Sequence, residues 1–156
     1  MAENISRVTG TKEEQYTALI PQIKALLEGE NDTIVNMANI CAALREQFNW
    51  FWIGFYLVKN EELVLGPFQG PVACTRIKKG RGVCGKAWED ATTLIVPDVS
   101  NFPGHIACSA FSKSEIVVPL KKEKKVWAVL DIDHDTENYF DEVDQRFIEK
   151  IIAFIH

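Results

Sequence analysis

Glu115-Ile-Val-Val-Pro-Leu120 and Val126-Trp-Ala-Val-Leu-Asp-Ile-Asp133 are two runs rich in β-branched residues, joined by the lysine-rich residues 121–125. Such runs read as strands, and strands joined by so short a link pair antiparallel. Side chains alternate faces along a strand. Val126, Ala128, Leu130 and Ile132 therefore share one face of the second run, and Trp127, Val129, Asp131 and Asp133 share the other. Glu115 opens the neighbouring run on the parity of Val117. Three acids can thus converge on one spot. Gathered in a pocket they suit a substrate ammonium, and crowding raises the pKa of at least one, leaving it able to donate a proton. The alternative is a solvated strand end.

Outward from this hairpin the pattern repeats. Residues 50–58 form an aromatic and β-branched strand, with residues 62–69 its partner across a turn at 59–61. Phe51, Ile53, Phe55 and Leu57 form a wholly apolar face that should pack on helices. Trp50, Trp52, Gly54, Tyr56 and Val58 form the other. Gly54 can leave a hollow between Trp52 and Tyr56; the competing reading is that these rings fill a second apolar layer. Short strands fit residues 73–77 and 93–96, and a short helix fits 83–90.

Helices close both ends. Thr11 and Glu14 make a capping-box pattern. Tyr16, Leu19, Ile20, Ile23, Leu26 and Leu27 then share a helical face, with Pro21 expected to kink or restart the helix and Gly29 able to end it. A second helix begins near Asn31 or Asp32 and carries Ile34, Met37, Ala38, Cys41, Leu44 and Phe48. The last starts at Asp141, with Val143, Phe147, Ile151, Phe154 and Ile155. The fold class is α+β: a central, mostly antiparallel sheet flanked by N- and C-terminal helices. Residues 97–114 resist periodic reading, and so long a connection is usually functional. Cys108 lies in it.

Bulk properties narrow the function. The 156 residues are 47% hydrophobic and 25% charged, an ordinary globular profile. Net charge is −5, and the densest basic cluster, Lys121, Lys122, Lys124 and Lys125, is split by Glu123, so nucleic-acid binding has no electrostatic support. No apolar run approaches the ~20 residues of a membrane span, and residues 1–10 lack a signal-peptide core. A cytoplasmic protein is expected, with thiols kept reduced.

Cys41 sits on a helical apolar stripe and reads as a buried, inert thiol. Cys74, Cys84 and Cys108 lie in loops or at element ends, without the close pair of a structural zinc site. Cys84 is just inside a helix start, which favours a thiolate. Cys108, beside an acidic, aromatic-walled pocket, suits attack on an electrophile. Gly80-Arg-Gly-Val-Cys-Gly85 matches G-x-G-x-x-G, but the strands around it are antiparallel and residue 101 is asparagine. These glycines read as backbone accommodation around Cys84, not a dinucleotide fingerprint. Asp131-Ile-Asp-His-Asp135 lacks the glycine-turn loop of a hard-cation site, so no metal is expected.

Gly70-Pro-Val-Ala-Cys-Thr-Arg-Ile77, Gly80-Arg-Gly-Val-Cys-Gly85, Phe102-Pro-Gly-His-Ile-Ala-Cys108, Ser114-Glu-Ile-Val-Val-Pro-Leu120 and Leu130-Asp-Ile-Asp133, in that order, resemble the free methionine-(R)-sulfoxide reductases, which are GAF-domain enzymes. The resemblance covers residue 31 to the C-terminus. It implies one GAF-like domain over residues 1–156, with residues 1–30 an N-terminal helical extension. It also implies Cys108 as nucleophile, Cys84 as resolving thiol and Cys74 as an auxiliary one. Trp52, Tyr56, Glu115, Asp131 and Asp133 would be the substrate pocket, with Glu115 and Asp133 sharing the acid chemistry. By the same resemblance the reaction would pass through a sulfenic acid and an intramolecular disulfide, with no resident cofactor and with thioredoxin as the external, NADPH-linked reductant. Oligomeric state is not legible, and a homodimer is one open arrangement. Two other readings stand: a non-catalytic GAF sensor, since Asn138-Tyr-Phe-Asp-Glu142 resembles a motif of cyclic-nucleotide-binding members, and a redox-sensing interaction protein.

Overall fold

Six strands form one antiparallel sheet in the order β3-β2-β1-β6-β5-β4: β1 Trp52–Lys59, β2 Glu62–Gln69, β3 Arg76–Lys78, β4 Leu94–Val96, β5 Ser114–Lys122 and β6 Lys125–His134. The computed structural model describes residues 4–106 and 108–156; Ala107 of the Phe102-to-Cys108 motif and residues 1–3 lie outside it. Helices α1 Lys12–Leu27, α2 Thr33–Phe48 and α4 Glu142–Ile152 cover one face, and α3 Gly82–Asp90 lies on the other. No helix among the described residues is long and apolar enough to cross a membrane.

Two apolar layers flank the sheet. The larger joins Tyr16, Leu19 and Ile23 of α1, Met37, Ile40 and Leu44 of α2, and Phe147, Ile148 and Ile151 of α4 to Ile53, Phe55, Ile116, Val118, Leu130 and Ile132. The smaller joins Val83, Ala87 and Trp88 of α3 to Trp52, Tyr56, Val117 and Val129. Cys41 is buried in the larger layer, and burial pushes its thiol well up.

Local rules place the ends. Thr11, Asp32 and Asp141 each cap a helix by accepting a backbone N–H two or three residues on. Asp141 and Asp144 complete a capping box, which accounts for that part of the Asn138-to-Glu142 segment. Asp144 is fully buried and accepts from the Tyr16 hydroxyl at 2.6 Å and the Lys12 ammonium at 2.7 Å, tying α1 to α4. Pro21 does not break α1, which runs on through it. An interior proline costs roughly 3 kcal/mol. Burial of Tyr16, Leu19 and Ile23 outweighs that, at roughly 1.5–3 kcal/mol for each large side chain.

Strand parity fails in two places. Trp50 and Phe51 precede β1, so they escape its alternation: Trp50 is buried with the helices, stacked 4.6 Å from Phe48, and Phe51 turns to the α3 side. In β6 a register shift falls between Leu120 and Lys121, opposite Ala128 and Val126. This irregularity sends Val126 to the α3 side and Trp127 towards the helices, the reverse of strict alternation. The short strands are also shorter than expected, with β3 limited to Arg76–Lys78 and β4 to Leu94–Val96.

The β5–β6 turn places Glu123 at φ 53° and Lys124 at φ 66°, the left-handed region that two-residue hairpins require. Neither residue is at ease there. Glu123→Asn with Lys124→Gly should stabilise the protein by about 1 kcal/mol, read as a rise in Tm of about 2–4 °C by calorimetry. An unchanged or lower Tm would show that the turn carries no strain.

Candidate active site

A cleft opens on the α3 side of the sheet, with about 590 Å³ of space including its mouth. Its walls and floor include Trp52 and Tyr56 from β1, Cys84 from α3, Glu115 from β5, Asp131 and Asp133 from β6, and Cys108 from the long connection. Seven residues singled out from sequence thus meet in one place. Pairing explains the floor: Glu115 lies opposite Asp133, and Asp133 opposite Trp52, across β5-β6-β1. An antiparallel register brings residues 18 positions apart in the chain side by side.

The aromatic wall is built differently from the expected hollow. The Trp52 ring lies over Gly54 and stacks on Phe68 at 5.5 Å, with Tyr56 6.1 Å away. A Cβ at Gly54 would collide with the Trp52 ring and sit 2.5 Å from the Phe68 Cβ, so only glycine lets the indole lie flat. Trp52 Nε1 donates to the Pro71 carbonyl at 3.0 Å, and the Tyr56 hydroxyl to the Cys74 carbonyl at 2.8 Å. β1 therefore holds the segment that carries Cys74. Burial pushes the Tyr56 hydroxyl's pKa far up, with the Asp131 carboxyl adding to it, so this phenol is a neutral donor.

Cys74 and Cys108 form a disulfide with Cα atoms 5.5 Å apart. Cys108 is exposed at the mouth of the cleft and Cys74 is half-buried beside it. The bond present here differs from the Cys108–Cys84 pairing implied by resemblance: Cys84 is a free, buried thiol on the floor, and it is Cys74 that is bonded to Cys108. The physical reason lies in α3. Its first turn points Cys84 inward, with Sγ 3.9 Å from Glu115 Oε1. Desolvation, then the charges of Asp131, Glu115 and Asp133, hold this thiol well above its ordinary pKa. Burial and the neighbouring carboxyl groups outweigh the helix terminus, so the expected thiolate gives way to a neutral thiol. The neighbouring glycines do accommodate the turn: Gly82 sits at φ +61°, and a Cβ at Gly85 would come within 2.5 Å of the Lys78 carbonyl oxygen.

The acids are not a solvated strand end. Glu115 and Asp131 are buried and Asp133 half-buried. Burial raises Glu115 well above the carboxylate range, and Asp131 and Asp133 add to it. Burial and then Asp131 raise Asp133, with Ser112 opposing. Burial also raises Asp131, though contacts with Glu115 and Cys84 pull it back. The floor therefore favours keeping a carboxyl protonated and able to donate. Asp131 Oδ1 is buried with no hydrogen-bond partner, which leaves a polar atom of the floor unpaired. Sequence reasoning missed Phe68 behind Trp52, Ser112 beside Asp133, and Arg81 at the rim. Phe68 reaches the position across from Gly54 only through a register shift between Gly54 and Tyr56; the regular spacing from the turn would have placed Pro67 there. Ser112 and Arg81 lie outside any periodic segment and left no signal.

The chain matches the GAF domain family over residues 36–155. It is 61% identical over 156 residues to GAF domain-containing protein A of Dictyostelium discoideum, covering 99% of each chain. It is 43% identical to the free methionine-R-sulfoxide reductase of Escherichia coli, over 91% of this chain and 87% of that one. Among solved structures, free methionine-R-sulfoxide reductase from Neisseria meningitidis in complex with its substrate superposes with a TM-score of 0.95 at 45% identity, covering 98% of this chain and 93% of that one.

Proposed function

Since the chain belongs to the GAF-domain family of free methionine-R-sulfoxide reductases, we propose that it reduces free L-methionine (R)-S-oxide to L-methionine by thiol chemistry, with no prosthetic group. One observation carries this reading: a cysteine pair able to bond stands at the mouth of a cleft walled by aromatic rings and floored by acids of raised pKa.

Each part has a chemical task. Asp131 binds the α-ammonium. Trp52 and Tyr56 enclose the S-methyl group, and their shape selects one sulfoxide epimer. A neutral acid from Glu115 and Asp133 donates a proton to the sulfoxide oxygen. Backbone amides of residues 97–114 hold the α-carboxylate. The Cys108 thiolate then attacks the sulfoxide sulfur. That sulfur gains two electrons and leaves as the methionine thioether, while its oxygen, protonated, stays on Cys108 as a sulfenic acid. The Cys74 thiol attacks Cys108, expels water and closes the disulfide. A thioredoxin-type dithiol restores both thiols by exchange. This cycle suits a reducing compartment such as the cytoplasm.

Turnover with thioredoxin, thioredoxin reductase and NADPH tests the reading. The free R epimer should be consumed. The S epimer, N-acetylmethionine sulfoxide and a methionine sulfoxide within a peptide should not, because the last two have no ammonium for Asp131. Equal rates on free and N-acetylated substrate would sink the assignment.

A further inference from the structure

Cys84 takes no part in the Cys74–Cys108 bond, yet it lies on the cleft floor. Its Sγ and one carboxylate oxygen each from Glu115 and Asp131 all lie within 4.8 Å of one another. The three groups come from α3, β5 and β6, and each residue is more than nine-tenths buried. Asp131 Oδ1 has no hydrogen-bond partner. None of the ion pairs among the described residues involves Glu115, Asp131 or Asp133, so these acids are not ion-paired within the protein.

We propose that Cys84, Glu115 and Asp131 form a binding site for one borderline-soft divalent cation of the Zn²⁺ or Cd²⁺ class. One thiolate and two carboxylates are a zinc-like donor set, with Zn–S near ~2.3 Å and Zn–O near ~2.0–2.2 Å. Tetrahedral geometry at those lengths sets sulfur and oxygen roughly 3.5 Å apart. The 3.9 Å between Cys84 Sγ and Glu115 Oε1 needs only a small contraction. All three residues line the cleft, which would leave a fourth position to water or another ligand. Ca²⁺ and Mg²⁺ do not fit, since they take about six or more oxygens and avoid thiolate. This is a different site from the hard-cation one rejected on the Asp131-to-Asp135 run, because its sulfur comes from another element.

Binding involves no redox change. The ion replaces the Cys84 thiol proton and whatever protons Glu115 and Asp131 hold, and these pass to the buffer. A bound ion fills the floor of the cleft and shuts out other ligands, so the site is inhibitory. Direct metal binding reads it out, independently of the sulfoxide reaction.

The test uses Cd²⁺ on the oxidised protein, where Cys74 and Cys108 are locked together and only Cys41 and Cys84 carry free thiols. Titration should give one Cd²⁺ per chain, a thiolate-to-cadmium ultraviolet charge-transfer band and release of protons. Zn²⁺ should displace the Cd²⁺, and Ca²⁺ should not. The band should survive Cys41→Ser and vanish in Cys84→Ser. Asp131→Asn should weaken binding at least about tenfold. Absence of the band in the unmodified protein, or its persistence in Cys84→Ser, would overturn the proposal. If Cys84→Ser fails to fold, unchanged Cd²⁺ affinity in both Asp131→Asn and Glu115→Gln overturns it equally.

Discussion

Cys108→Ser should abolish reduction of free methionine-R-sulfoxide, a fall of at least about 10⁴-fold in kcat, the scale seen when a catalytic nucleophile is removed. Serine keeps the shape of the side chain but removes the sulfur that bonds to Cys74 and that, in the proposed cycle, accepts the sulfoxide oxygen. The companion variants separate the other two thiols. With Cys74→Ser, a rapid burst releases about one methionine per chain, because sulfenic acid forms but has no partner. Thioredoxin-coupled turnover then stalls. Cys84→Ser retains the bonded pair and goes on turning over with thioredoxin. Quenched-flow product counts alongside a sulfenic-acid trap distinguish the three. A burst followed by a stall in Cys84→Ser, with sustained turnover in Cys74→Ser, would restore the pairing that resemblance implied and remove the one drawn from the structure.

Glu115→Gln pulls activity and stability in opposite directions. Losing a proton donor of this kind costs about 10²–10⁴-fold in kcat. Stability follows from linkage. Burial lifts Glu115 above its ordinary value of 4.5, so from about pH 4.5 upward the folded state binds more protons than the unfolded one. Stability then falls as pH rises, until the folded-state pKa is passed. Glutamine does not titrate and escapes this loss. The variant's Tm should match or trail the parent's near pH 4 and exceed it at alkaline pH. Activity of the parent should decline above the raised pKa, as the donor ionises. Parallel calorimetry and pH–rate profiles check both. A variant less stable than its parent at every pH would mean that Glu115 is held chiefly by its contacts with Cys84 and Asp131, and not strained by its own charge.

Much of this architecture was written in strand periodicity. Ile53 and Phe55 against Trp52 and Tyr56, and Leu130 and Ile132 against Asp131 and Asp133, fall on opposite sides of the sheet as alternation requires. Parity also set Trp52 with Tyr56 on one face of β1 and Asp131 with Asp133 on one face of β6, while their union in one pocket was what the resemblance implied. It failed at Trp50, Phe51, Val126 and Trp127, where the chain is outside β1 or where the β5–β6 register shifts. An irregularity in a ladder depends on the partner strand, and one strand's pattern does not contain it. The thiols were legible as a set but not in their pairing. Cys74 and Cys108 are 34 residues apart and meet because Tyr56 and Trp52 hold residues 71–74 from behind. The state of Cys84 was misjudged from its place at a helix start, since local sequence does not reveal that three carboxyl groups surround the thiol.

The two unequal apolar layers on either side of the sheet divide the labour of the molecule. The three-helix side carries most of the buried hydrocarbon and guards the protein's cohesion, while the α3 side is free to specialise. A change in the wall or floor of the cleft is therefore met by a scaffold whose main adhesive lies behind the strands, out of reach. Such a chain can trade one ligand chemistry for another over its history without first having to relearn how to fold.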